Sequence, residues 1–419
     1  MNATVMRRYR SHVSEGRARL AELTGGHVEV SSHAAKVTDA AGREYLDCGG
    51  YGVFLLGHTH PAVVDAVVRQ VHRHPMTTRL MLEPTVASAA AAVAEITPPG
   101  LDYVHFVNSG AEATEAAIKL ARANGRAHLI STVGGYHGKT MGALTLTARA
   151  LYQAPFRPLL PSVDHVAYGD ADALDRALAA APPACVFIEP VQGEGGVIIP
   201  PNGYLRDVAE SCRRHGALFV LDEVQTGLGR LGHWWGADRE SVVPDILLVG
   251  KNLSGGVVPV AAMIATAEVY APFSRDPFLH TSTFAGSPIA AAAAEAAVRT
   301  IAEDNLVDKA ASLGTFLLSE LRRILLRACP HLVTDVRGLG LLIGVELINE
   351  HMTGELVMEL LDRGVIVNHS LNAHRVLRFT PPAVLTPADV QWLLTAVADA
   401  AEALSRRCPC PPATLERTA

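Results

Sequence analysis

Short, nearly unbroken apolar runs recur along this chain with helical patterns between them. Tyr103-Val-His-Phe-Val107, Ala184-Cys-Val-Phe-Ile188, Ala217-Leu-Phe-Val-Leu221 and Ile246-Leu-Leu-Val249 each read as a strand, as does His128-Leu-Ile-Ser131. A strand with one wet face alternates apolar and polar residues; a strand apolar throughout is covered on both faces. With amphipathic helices intervening (Glu112 to Asn124, Tyr204 to His215, Ser287 to about Asp304), the pattern predicts an α/β fold around a mostly parallel sheet. Upstream, Gly-rich sequence broken by His27-Val-Glu-Val30, Ala35-Lys-Val-Thr38 and Glu44-Tyr-Leu46 reads as a small meander, and a helix begins after Gly57-His-Thr-His-Pro61 and runs to about His74.

Composition narrows the functional classes. At 49% hydrophobic and 19% charged, most of the chain can bury a core, and 419 residues suggest two or three units. A net charge of -6 offers no electrostatic footprint for nucleic acid or an anionic membrane surface. The Ala-rich stretch from Ile289 is broken by Glu295 and is too short to span a bilayer, and Met1 to Leu20 has arginines but no apolar signal core. Cys48, Cys185, Cys212 and Cys329 are scattered, and Cys408-Pro-Cys410 reads as tail, so neither a disulfide framework nor a metal set is expected. The expectation is a soluble, cytoplasmic protein with no metal.

Four segments carry candidate chemistry. Asn108-Ser-Gly-Ala-Glu112 joins a strand to a helix, where free N–H groups face an anion; alone it is either a phosphate cradle or an ordinary capping turn. Gly134-Gly-Tyr136-His-Gly138-Lys139 follows another strand and presents either a platform for a planar ring or a packed loop tyrosine. Asp222-Glu223-Val224-Gln225 ends a buried strand, so Asp222 needs a cationic partner from protein or ligand. Adjacent strand residues face opposite ways, which keeps Asp222 and Glu223 from sharing one metal ion. The last is Lys251, placed after an apolar strand and before Gly255-Gly256. Only five lysines exist in the chain (36, 119, 139, 251 and 309), and Lys251 alone has a setting that would desolvate its amine toward Schiff-base chemistry.

A fifth segment, Gly227-Leu-Gly229-Arg-Leu-Gly232, matches a dinucleotide fingerprint in form only, since Trp234-Trp235-Gly236 follows instead of a helix. Together the other four supply a phosphate cradle, a stacking ring, a carboxylate for a pyridinium nitrogen and a lysine for an aldehyde, which is what pyridoxal 5'-phosphate requires.

On those residues the sequence resembles the class III pyridoxal-phosphate aminotransferases, from about Gly26 to Leu404. Glu189-Pro-Val-Gln-Gly-Glu194-Gly-Gly196, His280-Thr-Ser-Thr283-Phe-Ala-Gly and Arg378-Phe-Thr-Pro-Pro382 extend the likeness. Within the family it is most similar to the putrescine aminotransferase and ornithine aminotransferase-like branch, through Pro155-Phe-Arg-Pro-Leu-Leu-Pro161, Pro201-Asn-Gly-Tyr-Leu205 and Asp276-Pro-Phe-Leu-His280. The resemblance implies fold type I, like aspartate aminotransferase: a seven-stranded large domain over 61–304, a small domain built from 1–60 and 305–405, and a disordered tail over 406–419. It assigns Lys251 and Asp222 as catalytic. Cofactor contacts fall to Ser109, Gly110, Ala111, Tyr136, His137, Asp222, Val224, Gln225, Lys251 and, from a neighbouring subunit, Thr283. Substrate contacts fall to Glu194, Arg378, Lys139 and Tyr51, with Phe54 beside the last. The implied partners are a small-molecule amine and a keto acid or aldehyde, and the implied assembly is a homodimer with shared active sites, alone or as a dimer of dimers.

Several positions depart from the commonest family pattern. Lys139 stands where an arginine grips a distal carboxylate, Thr114 where asparagine is usual and Asn252 where alanine follows the lysine, and Ala285-Gly286-Ser287 replaces Gly-Gly-Asn. The leading expectation is an ω-aminotransferase moving a terminal amino group between a putrescine-like diamine or alkyl amine, or a donor such as glutamate, and 2-oxoglutarate, pyruvate or an aldehyde. The alternatives are a racemase or aminomutase on the same scaffold, a biosynthetic aminotransferase acting on a natural-product aldehyde, and a non-catalytic module. His58 and His60 are expected to pack in a turn, Trp234 and Trp235 to cover the core, and Glu223 to be a structural partner or a catalytic group.

Overall fold

The computed structural model describes residues 2–181 and 183–409. Seven strands form the central sheet in the order Tyr103–Val107, Ala261–Ala265, Ile246–Val249, Leu218–Asp222, Ala184–Ile188, His128–Thr132 and Val163–Val166. Only Ala261–Ala265 runs against its neighbours; every other pairing is parallel. The mostly parallel sheet expected from the apolar runs is therefore present. In Ala184–Ile188 and Leu218–Asp222 all five residues are buried, each large apolar side chain contributing about 1.5–3 kcal/mol relative to exposure.

Within the central sheet, one strand is displaced by a residue from its expected position. It starts at Leu218 and includes Asp222, because Leu221 and Asp222 pair with Leu247 and Leu248 of the next strand. That shift makes Asp222 a strand residue and sets it beside the end that leads to Lys251.

Helices cover the sheet. Gly110–Ala123 buries its alanine-rich side, and Pro288–Glu303 packs against both Pro61–Arg73 and Pro84–Ala94, which small side chains permit at close range. No described helix is long and apolar enough to cross a membrane.

Two smaller sheets lie outside this layer. The predicted meander forms from Glu29–His33, Lys36–Asp39 and Glu44–Asp47, and Val365–Ile366 joins its edge in parallel. Val333–Leu339, Leu342–Leu347, Val376–Phe379 and Asn368–His369 make an antiparallel sheet in that order, with Arg378 opposite both Gly344 and Asn368. The final helix, Pro387–Arg407, runs two residues past the expected start of the tail, and Arg407 there pairs with Glu355 at 3.1 Å. The rest of the expected tail, 410–419, lies outside the described residues.

Candidate active site

The carboxyl ends of four parallel strands and the start of one helix converge on a cavity of about 240 Å³. Helix Gly110–Ala123 enters it with its N-terminus, where Ser109 is the cap and its Oγ accepts from Glu112 N at 3.2 Å. A Cβ on Gly110 would stand 2.7 Å from Val224 Cγ1, so only glycine lets the backbone lie this close to the strand end.

Asp222 is buried, and its charge is met from within the protein. Oδ2 lies 2.7 Å from His137 Nδ1, and Oδ1 accepts from Val224 N at 3.1 Å. Burial works to discharge the His137 imidazole, but its hydrogen bond to Asp222 and the charges of Asp222 and Glu189 together overcome this and raise its pKa. The partner that the protein itself supplies to Asp222 is thus a histidine. His137 is held in turn: its N donates to Thr147 Oγ1 at 2.9 Å, and its carbonyl accepts from Thr114 Oγ1 at 2.9 Å. The threonine that departs from the family pattern therefore supports the loop that carries Tyr136 and His137.

Lys251 follows Gly250, whose backbone is far from helical, and takes φ +41 itself. That left-handed conformation disfavours side chains, and it persists where surrounding packing fixes it. Burial lowers the Lys251 pKa from 10.5 to about 8, against the opposing pull of Glu194. Beside it, Asn252 is buried and donates from Nδ2 to Gly227 O at 3.3 Å.

The opposite wall comes from the Tyr136 loop. Tyr136 N donates to Glu189 Oε2 at 2.9 Å, and burial pushes the Glu189 carboxyl up to about 8. Lys139 is exposed, with Nζ 3.8 Å from the centre of the Tyr152 ring and 6.0 Å from that of Tyr136, a cation held against two aromatic faces. Glu194 and Arg378 are both buried, with Oε1 and Nη1 2.6 Å apart. The contact is an ion pair off the hydrogen-bond axis, so that Nη1 and Nε have no aligned acceptor. Burial would raise the Glu194 pKa, but Arg378 and Lys251 overcome it and hold the carboxyl below its ordinary value.

The family described as Aminotransferase class-III matches residues 27–401. The chain is a class III aminotransferase. It is similar to the ornithine aminotransferase of Toxoplasma gondii at 34% identity, over 97% of this chain and 96% of that one, with a TM-score of 0.90. A second structure of that protein, with partial PLP occupancy at its active site, matches at 33% identity over 97% and 99% of the two chains, TM-score 0.87. An (S)-enantioselective ω-transaminase from Thermomicrobium roseum matches at 29% identity over 92% and 95%, TM-score 0.85.

Class III aminotransferases use pyridoxal 5'-phosphate, and the residues present suit it. Gln225 is buried with its Nε2 donor unpartnered, and the close approach at Gly110 opens the helix N-terminus to an anion. Around the one cavity the aminotransferase gathers Gly110, Ala111, Tyr136, His137 and Lys139 with Asp222, Val224, Gln225 and Lys251. Ser109 opens onto an adjoining cavity that also reaches Lys251.

The Glu194–Arg378 pair stands behind the cavity's lining, and three further predicted residues lie elsewhere. Tyr51, 56% exposed, faces a separate cavity beneath helices Asn2–His12 and Glu15–Leu23, while Val53 lines the Lys251 side. Phe54 stacks on His58 at 3.7 Å. Thr283 sits in an exposed loop outside the cavity.

Other expectations resolve as structural parts of the aminotransferase. His58 Nε2 meets buried Asp47 at 2.9 Å, and Trp235 is buried with Nε1 donating to Ile96 O. Glu223 accepts from Gly236 N and Ala237 N, both at 2.9 Å, and from Thr226, which makes it a structural partner. The glycine-rich decoy is a turn, closed by Gly227 N to Glu223 O at 2.9 Å.

Sequence reasoning gave no role to Tyr152 or Asn372. Asn372 Nδ2 donates to Gly134 O at 3.0 Å and so fastens the Tyr136 loop to the C-terminal part of the chain, while Tyr152 OH, from helix Ala150–Gln153, donates to Leu371 O at 2.9 Å. Neither stands in a motif, and only tertiary structure gives them a role.

Proposed function

We propose that this aminotransferase exchanges a terminal amino group between a putrescine-like diamine or alkyl amine and 2-oxoglutarate or pyruvate. The buried Glu194–Arg378 pair carries the reading. Closed, it offers a carboxylate-free amine a neutralised wall; opened, it frees a guanidinium for the carboxylate of a 2-oxo acid, a match of planar groups that strengthens binding. One pocket then takes both partners. An exposed Lys139 held against aromatic faces, in place of a rigid arginine fork, suits an amine without a distal carboxylate.

Bound pyridoxal phosphate supplies an electron sink that stabilises the carbanion left when the amine-bearing carbon loses its proton. Asp222, oriented by His137, would hold a proton on the ring nitrogen, and Gln225 Nε2 would donate to the ring's phenolic oxygen. Tyr136 and Val224 would hold the ring between them, and Ser109, Gly110 and Ala111 would hold the phosphate. Lys251 Nζ would hold the cofactor's aldehyde and would carry the proton to and from the substrate carbon.

The neutral Lys251 amine is the nucleophile, so its lowered pKa sets a pH dependence. Covalent capture of pyridoxal phosphate by apoprotein is expected to accelerate with pH up to about 8 and then level off. Stopped-flow absorbance reads this rate; a rise that continues toward pH 10.5 would mean an ordinary, solvated lysine.

We also propose a homodimer with shared sites. Leu80 and Leu82, which follow Arg79, and Phe278, just before the Thr283 loop, are 90%, 102% and 83% exposed, apolar surface that favours burial against a second copy. The parallel pairing of Glu44–Asp47 with Val365–Ile366 supports one small domain built from both ends of the chain, around a large domain over 61–304.

The test separates the half-reactions in the Arg378→Gln variant. Mixing loaded enzyme with putrescine alone is expected to convert the cofactor's absorbance to its amine form at a near-normal rate. Return with 2-oxoglutarate is expected to need about ten- to a hundredfold more keto acid, the cost of losing a charged hydrogen-bond donor. Equal losses in both directions overturn the switch, and wild-type enzyme unaltered by putrescine redirects the reading to glutamate as donor and an aldehyde as acceptor.

A further inference from the structure

The loop that carries Thr283 is held by an arginine from a distant part of the chain. Arg79 Nη2 donates to Thr283 O and Ala285 O, both at 2.8 Å, and to Ser282 O. Three carbonyl oxygens thus converge on one guanidinium nitrogen, and among the described residues Arg79 pairs with no carboxylate. Carbonyl dipoles pointing at one another repel, so this loop shape needs a cation at its centre.

Arg79 is itself prepared for the task. It adopts φ +61, a left-handed conformation, and its N–H donates to Thr77 Oγ1 at 3.2 Å. Asn108, next to the phosphate-side cap Ser109, donates from Nδ2 to Ser282 Oγ at 3.2 Å and is fixed by Glu112. The loop is therefore anchored by its backbone and by Ser282, while the Thr283 side chain stays exposed.

We propose that Arg79 is a positioning residue for the neighbouring subunit's cofactor: it fixes Ser282–Ala285 so that Thr283 can donate to the phosphate bound across the dimer interface. The inference rests on the shared-site dimer proposed above. An unclamped loop would have to be ordered at the moment of binding, and that entropy would come out of cofactor affinity.

The experiment titrates full-length apoprotein with pyridoxal phosphate and also measures mass in solution. Arg79→Ala is expected to remain dimeric and to bind the cofactor about ten- to a hundredfold more weakly, with Arg79→Lys intermediate. The deciding measurement uses a mixed dimer of one Arg79→Ala chain and one Lys251→Ala chain. Its only Lys251 faces a loop from the chain that retains Arg79, so borohydride-trapped cofactor is expected at near wild-type affinity in one site per dimer.

Wild-type affinity in the Arg79→Ala homodimer overturns the proposal. So does weak capture in the mixed dimer, which would mean that Arg79 acts within its own subunit. If Arg79→Ala does not fold, Arg79→Lys in the same mixed dimer gives the same comparison. A wild-type chain that binds the cofactor as a monomer refutes the dimer reading itself, and does so without any change at Arg79.

Discussion

Lys251→Ala is expected to abolish turnover and the visible absorbance of lysine-bound cofactor while the protein still folds. The side chain lines the cavity and belongs to no apolar core cluster, so its loss leaves the core packing in place. Proton transfer by a positioned group contributes about 10²–10⁴-fold, and the covalent attachment is lost as well, so the deficit should reach at least the upper end. Added methylamine can stand in for the missing amine and should restore part of the rate in proportion to its concentration. Turnover near wild type without it would remove Lys251 from the chemistry. No other lysine replaces it: Lys119 and Lys309 lie exposed on helices, Lys36 in the meander, and Lys139 over Tyr152.

The second large effect belongs to Asp222→Asn. Asparagine preserves the shape and can still accept from Val224 N, but it removes the charge that raises the His137 pKa and would hold a proton on the ring nitrogen. A ring nitrogen without its proton is a poor electron sink, so the rate is expected to fall about 10²–10³-fold, the range for losing one preorganised electrostatic contact. Cofactor affinity should change far less, because the phosphate and lysine attachments remain. Single-turnover absorbance with saturating amine measures the step directly. A loss of less than tenfold would assign the proton to another group.

Much of this was legible in the chain because burial on both faces leaves a continuous apolar run. Tyr103–Val107, Ala184–Ile188 and Ile246–Val249 lie where those runs predict them, and the amphipathic helix Tyr204–His215 is likewise where its pattern puts it. The N-terminal helix Asn2–His12 has no fully buried residue, and its short apolar side of Val5, Met6 and Tyr9 sits among arginines that mask it. Lys251 could be singled out because lysines are scarce and one ends a buried strand. Pairings made across the fold left no local trace: nothing near Asp222 in sequence points to His137, and nothing near Thr283 points to Arg79.

The parallel pairing of Glu44–Asp47 with Val365–Ile366 bears on how the chain is made. On the ribosome the meander emerges early, yet the strand that closes its edge follows only after the entire central sheet has been synthesised. At about 5–20 residues per second that edge stays open for roughly tens of seconds, with unpaired backbone groups able to join another nascent chain. Slower translation or crowded polysomes would lengthen that exposure, so the yield of native enzyme in the cell should depend on chaperone supply even where the finished fold is stable.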